Sequence, residues 1–362
     1  MNKTSVYIHI PFCKSICAYC DFCKVLYNKE WVITYLKKLK DEIKERYMGE
    51  SIKTIYIGGG TPSSLSLKEI EYLLTLTKIF DTRELEEFTF ECNIEDISEE
   101  LLQLLAKFNV TRLSLGIESF NEENLLLMKR TVDYKDVVSK MNLIRSNGFN
   151  NVNVDLIYAL PGEKMKVLKK DIKLLLSLNP EHISTYSLMI EDNTFLSYKK
   201  VNNIPEELDA LMYEYICKKL KKAGYFHYEI SNFSKTGYES KHNLTYWNNE
   251  EYYGFGCGAS GYIAGVRYDN TRSLSKYLKG EINSTDNLLS QESIMEYEMI
   301  LGLRKTKGIK LQDFYDKYKV NMQDVFPIKP LIKNGDLIYE DGYVKINPKK
   351  LYIMNEILLK LV

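Results

Sequence analysis

The sequence predicts an α/β protein: an open, partial parallel β/α barrel of six strand–helix units, followed by a small C-terminal winged-helix-like α+β domain. Three observations carry this reading. Short runs rich in β-branched and aromatic residues alternate with longer runs of helical spacing, about six times over roughly 190 residues. Strands joined by helices lie parallel with right-handed crossovers, and six such units suit an open barrel better than a closed eight-unit one. Motif-bearing polar segments fall at the strand C-terminal ends, where such folds place their chemistry.

The elements follow in order. Val6–Ile10 reads as a strand, and Glu30–Tyr47 as a helix with Trp31, Tyr35, Leu39 and Ile43 on one face. Thr54–Ile57 is a strand running into Gly58-Gly59-Gly60, and Leu67–Phe80 a helix. Phe88–Cys92 is a strand, then Ser98–Phe108 a helix that Ser98 can cap. Arg112–Ile117 is a strand, followed by helices near Glu122–Lys129 and Asp133–Asn147, the latter ended by Gly148. Asn151–Ile157 is the fifth strand, Met165–Leu178 a helix and His182–Leu188 the sixth strand. Beyond Pro205 come a helix over Glu206–Ala223 and a strand-like Tyr225–Ile230. The three parts are 1–230, the barrel core; 231–290, a connecting region rich in Asn, Gly and Tyr that should wrap the barrel mouth; and 291–362, with the order helix, helix, hairpin, helix.

The chain has 362 residues, 45% of them hydrophobic, with 49 Lys plus Arg against 49 Asp plus Glu. A full core and a second small domain are possible at this length. Balanced charge gives no electrostatic case for nucleic acid or an anionic membrane, and the C-terminal domain is not read as a nucleic-acid binder. No apolar stretch approaches a membrane-spanning helix. The opening MNKTSVYIHIPF reads as a first strand rather than a signal peptide. The seven cysteines are odd in number, so a reducing, cytoplasmic setting is expected.

The strongest signal is the run from His9 to Phe22, which holds Cys13, Cys17 and Cys20 as C-x-x-x-C-x-x-C directly after the first strand. Three thiolates on one short loop suit three corners of a 4Fe–4S cubane and leave the fourth iron open to a ligand. A structural zinc site would need a second knuckle. Cys23 is too close to supply one, and Cys92, Cys217 and Cys257 are scattered singly. Gly58-Gly59-Gly60-Thr61-Pro62 follows the second strand, where glycines let backbone approach a ligand. Glu91, Glu118, Arg130 and Asp155 lie at or just past strand ends. Together they suggest a polar ring for a ligand with an amine, a carboxylate and hydroxyls.

The cysteine spacing, with Tyr19 just before the last cysteine, resembles the radical S-adenosylmethionine (radical SAM) superfamily. The segments YIHIPFC, YCDF, IGGGTPS, RLSLGIESFN and VNVDLIYALPG resemble the branch that contains oxygen-independent coproporphyrinogen III oxidase, over nearly the whole chain. The resemblance implies a partial barrel of the radical-SAM type. Cys13, Cys17 and Cys20 would hold the cluster, and its open iron would chelate S-adenosylmethionine. Tyr7, Tyr19, Gly59, Gly60, Thr61, Glu91, Arg130 and Asp155 would contact that cofactor. Glu118 stands where the family has Gln and would contact it as an acceptor only.

Two features separate the branches. The oxidase branch carries a further cysteine where this chain has Phe22; Cys23, one step on, is expected to be a bystander, with a role as an alternative ligand left open. His242-Asn243-Leu-Thr-Tyr246-Trp247, with Tyr228–Phe233 and Tyr252–Ala259, resembles the heme-chaperone (HemW-type) branch. That resemblance implies heme as cargo, met by His242, Asn243, Tyr246 and Trp247; the other readings of the motif are a structural histidine or residues that shape a substrate pocket. It also implies acceptor hemoproteins, such as respiratory ones at the membrane, and an electron donor. The protein would be cytoplasmic, with a peripheral place at the membrane. The alternative is the oxidase reaction itself, a radical decarboxylation of coproporphyrinogen III. Ser260 replaces a histidine found in chaperone relatives, and His182 and His227 read as packing residues.

Overall fold

Six parallel strands form the centre of the computed structural model, which describes residues 3–192 and 194–362. They are β1 (Lys3–Ile10), β2 (Ser51–Gly59), β3 (Glu87–Asn93), β4 (Arg112–Glu118), β5 (Val152–Tyr158) and β6 (His182–Ser187). They pair in that order, each parallel to the next. The intervening helices are α1 (Lys29–Arg46), α2 (Leu67–Leu76), α3 (Glu99–Lys107), α4 (Glu122–Met128), α5 (Tyr134–Ser146) and α6 (Met165–Ser177).

Strand periodicity explains which side chains meet which surface. One face of each strand is apolar and fully buried: Val6, Ile8 and Ile10; Ile55 and Ile57; Phe88 and Phe90; Leu113, Leu115 and Ile117; Val152, Val154 and Leu156. This face joins the helices in one core. The alternate positions are polar, among them Tyr56, Glu91, Asn93, Arg112, Ser114, Asn153, Asp155 and Ser184, and they line a cavity inside the barrel. Register sets them in rows: Glu91 lies opposite Ser114, which lies opposite Asn153, while Asn93, Gly116, Asp155 and Ser184 form the next row.

The elements begin and end where local chemistry requires. Asn28 accepts from the backbone N–H groups of Glu30 and Trp31 to start α1, and Ser98 accepts from Leu101 N to start α3. The buried stripe of α1 is Val32, Tyr35, Leu36, Leu39 and Ile43. Trp31, expected on that stripe, is instead 47% exposed; it sits in the first turn, one position off the buried face.

The stretch 231–290, expected to wrap the mouth, consists largely of strands, and its Asn243 lines the cavity. It extends the same sheet at both edges. After α7 (Glu206–Lys222), β7 (Phe226–Glu229) and β8 (Asn232–Ser234) add antiparallel beside β6. A short helix, α8 (Lys241–Trp247), follows. Then β9 (Tyr252–Phe255) pairs parallel to β1, and β10 (Ser260–Ile263), β11 (Val266–Asn270) and β12 (Asn283–Leu288) continue antiparallel. The result is one 12-stranded sheet. Runs such as Tyr252–Phe255 are short, interrupted by Gly254 and followed by Gly256 and Gly258, so their strand character is weak in sequence.

The C-terminal unit has α9 (Gln291–Gly302), α10 (Leu311–Tyr318), α11 (Ile328–Lys333) and a three-stranded sheet. That sheet comprises Ile309–Lys310, Leu337–Glu340 and Tyr343–Ile346. Its hairpin turns at Asp341 (φ 51°) and Gly342 (φ 82°), a pair that suits a two-residue type I′ turn. No helix among the described residues is long and apolar enough to cross a membrane.

Candidate functional site

The cysteine loop is closed at its base. Phe12–Cys13 pairs with Val25–Leu26, Val25 N donates to Pro11 O at 2.7 Å and Tyr27 N to Cys13 O at 2.8 Å. Its middle is pinned by Ala18 N donating to Met128 O at 3.0 Å. Cys13, Cys17 and Cys20 all line one cavity of about 440 Å³ at the C-terminal ends of the parallel strands. Tyr19, Gly59, Gly60, Thr61, Glu91, Glu118, Arg130, Asp155 and Asn243 line it too. This volume lies in the range of small-molecule sites.

Thr61 Oγ1 lies 3.6 Å from Cys13 Sγ, and Arg130 Nη1 lies 3.6 Å from Cys17 Sγ. Burial pushes the Cys13 thiol up to about 11 and raises Cys20 as well. These thiols are protonated near neutrality without a metal, so loading a cluster must release protons. Among the described residues no three His, Cys, Asp or Glu groups converge on a single ion. A cubane asks for something else, one thiolate on each of three irons, and three cysteines facing one cavity fit it.

The glycine run is required by its neighbours as much as by any ligand. A Cβ on Gly58 would lie 2.6 Å from the Glu91 carboxyl carbon. One on Gly59, whose φ is +118°, would lie 2.5 Å from the His9 ring. His9 is buried, with Nδ1 on the Tyr7 hydroxyl at 2.9 Å and Nε2 on Cys23 O at 2.7 Å. Tyr7 therefore braces His9, and its side chain is not among those lining the cavity.

The acidic residues form a ring without enough cations to neutralise it. Glu91 accepts from the Tyr56 hydroxyl at 2.6 Å and from Gly59 N at 3.0 Å, and burial pushes it up to about 7. Glu118 sits on a backbone irregularity with φ 70°, and burial pushes it up to about 7 against the pull of Arg130, 3.9 Å away. Burial also raises Asp155, which accepts from Asn153 Nδ2 at 2.7 Å. Burial works against the Arg130 charge, but Glu118, Tyr19 and Cys17 outweigh it and hold that guanidinium above its ordinary value. Arg130 Nη2 donates to Gly116 O at 2.7 Å, while the Nε atoms of both Arg130 and Arg112 are buried without a partner. Raised carboxylates beside orphaned guanidinium donors suit a ligand that carries both a cation and a carboxylate. S-adenosylmethionine, a sulfonium amino acid, has that chemistry.

Sequence reading missed Tyr56, Asn93, Arg112, Ser114, Asn153 and Ser184 in this cavity. The signal was present: each lies at an even spacing from a chosen residue on the same strand or opposite one on the next.

The H-N-x-x-Y-W segment forms α8, held to the barrel strands. Glu87, buried on β3, accepts from the N–H groups of Lys241 and His242, both at 3.1 Å, a carboxylate at a helix N-terminus. His242 is 1% exposed. Its Nδ1 meets Thr54 Oγ1 at 2.8 Å and its Nε2 the Tyr246 hydroxyl at 2.7 Å. Burial lowers the imidazole to about 3, so it stays neutral. Of the four motif residues only Asn243 lines the cavity. Ser260 lies away on β10, bonded to Asp269. His182 joins Asn153 and Tyr228 in a buried polar network, and His227 stacks on Phe233. Phe22 (69% exposed) and Met189 (70% exposed) stand among the cavity-lining residues as large exposed apolar groups.

Family models match twice, the Radical SAM superfamily over residues 7–175 and the HemN C-terminal domain over 289–352. The heme chaperone HemW of Lactococcus lactis is 44% identical over 350 residues, covering 94% of this chain and 92% of that one. The chain belongs to the HemW family of heme chaperones, within the radical SAM superfamily. The Bacillus subtilis HemW is 38% identical, covering 98% of this chain and 97% of its own length. The solved structure of coproporphyrinogen III oxidase (HemN) from Escherichia coli superposes with a TM-score of 0.86 at 21% identity, over 98% of this chain and 89% of that one. The last similarity shows the shared fold. Superfamily membership implies a 4Fe–4S cluster and S-adenosylmethionine, and the cavity residues fit both.

Proposed function

We propose that this chain binds heme and passes it to acceptor hemoproteins, with the cluster and S-adenosylmethionine held in the barrel cavity. The observation that carries this reading is full-length similarity, 44% identical over 94% of the chain, to a protein named as a heme chaperone. Phe22 supports it, since the oxidase branch has a cysteine at that position.

Cys13, Cys17 and Cys20 hold the cluster on this reading. Glu91, Glu118 and Asp155 meet the cationic groups of S-adenosylmethionine, Arg130 meets its carboxylate, and Tyr19, Gly59, Gly60 and Thr61 shape the pocket. Bound S-adenosylmethionine supplies a reducible sulfonium centre; the protein's part is to orient it and keep water out. His242 serves heme only if one of its ring nitrogens leaves Thr54 or Tyr246. Asn243 already faces the cavity, and Tyr7, Tyr246 and Trp247 act behind the wall. Acceptors, including membrane-bound respiratory hemoproteins, an electron donor and a cytoplasmic site with peripheral membrane contact belong to the same proposal.

An anaerobic heme titration of cluster-loaded protein tests it. Saturable binding with a Soret band is the predicted result, and its absence would overturn the reading. His242→Ala should shift or remove that band if His242 ligates iron, and leave it in place if the residue only supports α8. Conversion of coproporphyrinogen to protoporphyrinogen with S-adenosylmethionine and a low-potential reductant would favour the oxidase reading instead.

A further inference from the structure

Cys23 leaves the cluster loop in a different direction from its three neighbours. It is not among the residues lining the cavity. Its sulfur lies 3.6 Å from that of Cys257, 234 residues away in the chain. Cys257 sits in the turn after β9, between Gly256 and Gly258. We propose that Cys23 and Cys257 are a reversible redox pair, forming a disulfide that ties the cluster loop to the β9–β10 turn when the protein meets a low-molecular-weight disulfide.

The surroundings are built for this contact. A Cβ on Gly258 (φ +80°) would lie 2.5 Å from Cys23 Cβ, so only glycine there lets the two backbones come this close. A Cβ on Gly256 (φ +102°) would lie 2.6 Å from His9 O. The same turn is held from below by the Tyr35 hydroxyl, which accepts from Cys257 N at 3.0 Å and donates to His9 O at 2.6 Å. Each sulfur also has a carbonyl within reach, Thr271 O at 3.1 Å from Cys257 and Arg272 O at 3.3 Å from Cys23. The two sulfurs stand 3.6 Å apart, already in contact, against roughly 2.05 Å in an S–S bond.

The two thiols have distinct parts. Cys23 is partly accessible, whereas Cys257 is wholly buried. The Cys257 hydrogen bond first, then Arg272 and Lys24, hold the Cys23 thiol below its ordinary value against the effect of burial. A partly accessible thiol of lowered pKa beside a buried resolving thiol is the arrangement of redox-sensing cysteines. Cys23 thiolate attacks a sulfur of the disulfide and releases one thiolate. Cys257 then displaces the second, so the protein loses two protons and two electrons and the oxidant becomes two thiols. The contacts that hold the loop's backbone, His9 Nε2 on Cys23 O and Tyr27 N on Cys13 O, involve neither of the two sulfurs. The three cluster cysteines are therefore not consumed.

The test uses cluster-loaded protein and oxidised glutathione under anaerobic conditions, followed by alkylation of free thiols, digestion and peptide mass analysis. The predicted result is a Cys23–Cys257 cross-linked peptide, reversed by dithiothreitol, with the cluster absorbance retained. Cys257→Ser should stop at a glutathione adduct on Cys23, and Cys23→Ser should take up no glutathione. Four results in the unaltered protein would each overturn the proposal: no thiol loss, a persistent adduct on Cys23, a cross-link from Cys23 to Cys13, Cys17 or Cys20, or bleaching of the cluster in step with cross-linking. The cross-link is read on unaltered protein, so the outcome does not depend on whether either variant folds.

Discussion

Replacing Glu91 with glutamine isolates the cost of keeping a carboxylate in the barrel. Burial raises this group from 4.5 to about 7. At about 1.36 kcal/mol per unit, the ionised side chain costs the folded protein on the order of 3 kcal/mol. The folded state holds the proton more tightly than the unfolded one, so stability is greatest below pH ~4.5, falls as pH rises and levels off above about 7. Glutamine cannot ionise. It can still accept from Gly59 N and donate to the Tyr56 oxygen, at a cost of about 1 kcal/mol for poorer hydrogen bonds. Between pH 5.5 and 8 the stability of Glu91→Gln relative to the parent should therefore rise by about 2 kcal/mol. Urea denaturation of cluster-free protein at those pH values measures this, and Asp155 and Glu118, which interact with the Glu91 charge, contribute to the same difference. The same substitution should weaken S-adenosylmethionine binding to cluster-loaded protein on the order of 10- to 100-fold, since a charge-assisted hydrogen bond is lost. A stability difference that does not change with pH, or parental affinity in the variant, would refute this account of the acidic ring.

Three further outcomes follow from the geometry. Cys17→Ala should lower bound iron several-fold and remove the cluster absorbance while the apo protein keeps its secondary structure, measured by iron analysis and circular dichroism. Gly59→Ala places a Cβ 2.5 Å from the buried His9 ring at φ +118° and should cost about 2–4 kcal/mol, read as a lower urea midpoint with an unchanged slope. Glu87→Ala strips the acceptor from the Lys241 and His242 N–H groups and should cost about 3 kcal/mol. It should also disturb the cavity through Asn243, so S-adenosylmethionine affinity ought to fall although Glu87 is not among the cavity-lining residues.

The strand–helix barrel was legible in the residues alone, and so was the set of motif residues that the fold gathers around one cavity. Alternation such as Phe88-Thr89-Phe90-Glu91 already assigns one side chain to the helices and the next to the barrel interior, because a strand has period two. The C-x-x-x-C-x-x-C spacing after β1 likewise sets three cysteines on one short loop facing one cavity, since they are close in sequence. What the tertiary structure decided is everything that depends on distant segments meeting. It made strands of 252–288, which pair with an edge that local residues do not announce. It buried His242 between Thr54 and Tyr246, although the motif suggested a ligand open to heme. It set Cys23 against Cys257. Contacts between residues about 200 positions apart leave no periodicity in the chain, because only the folded sheet brings them within a bond's reach.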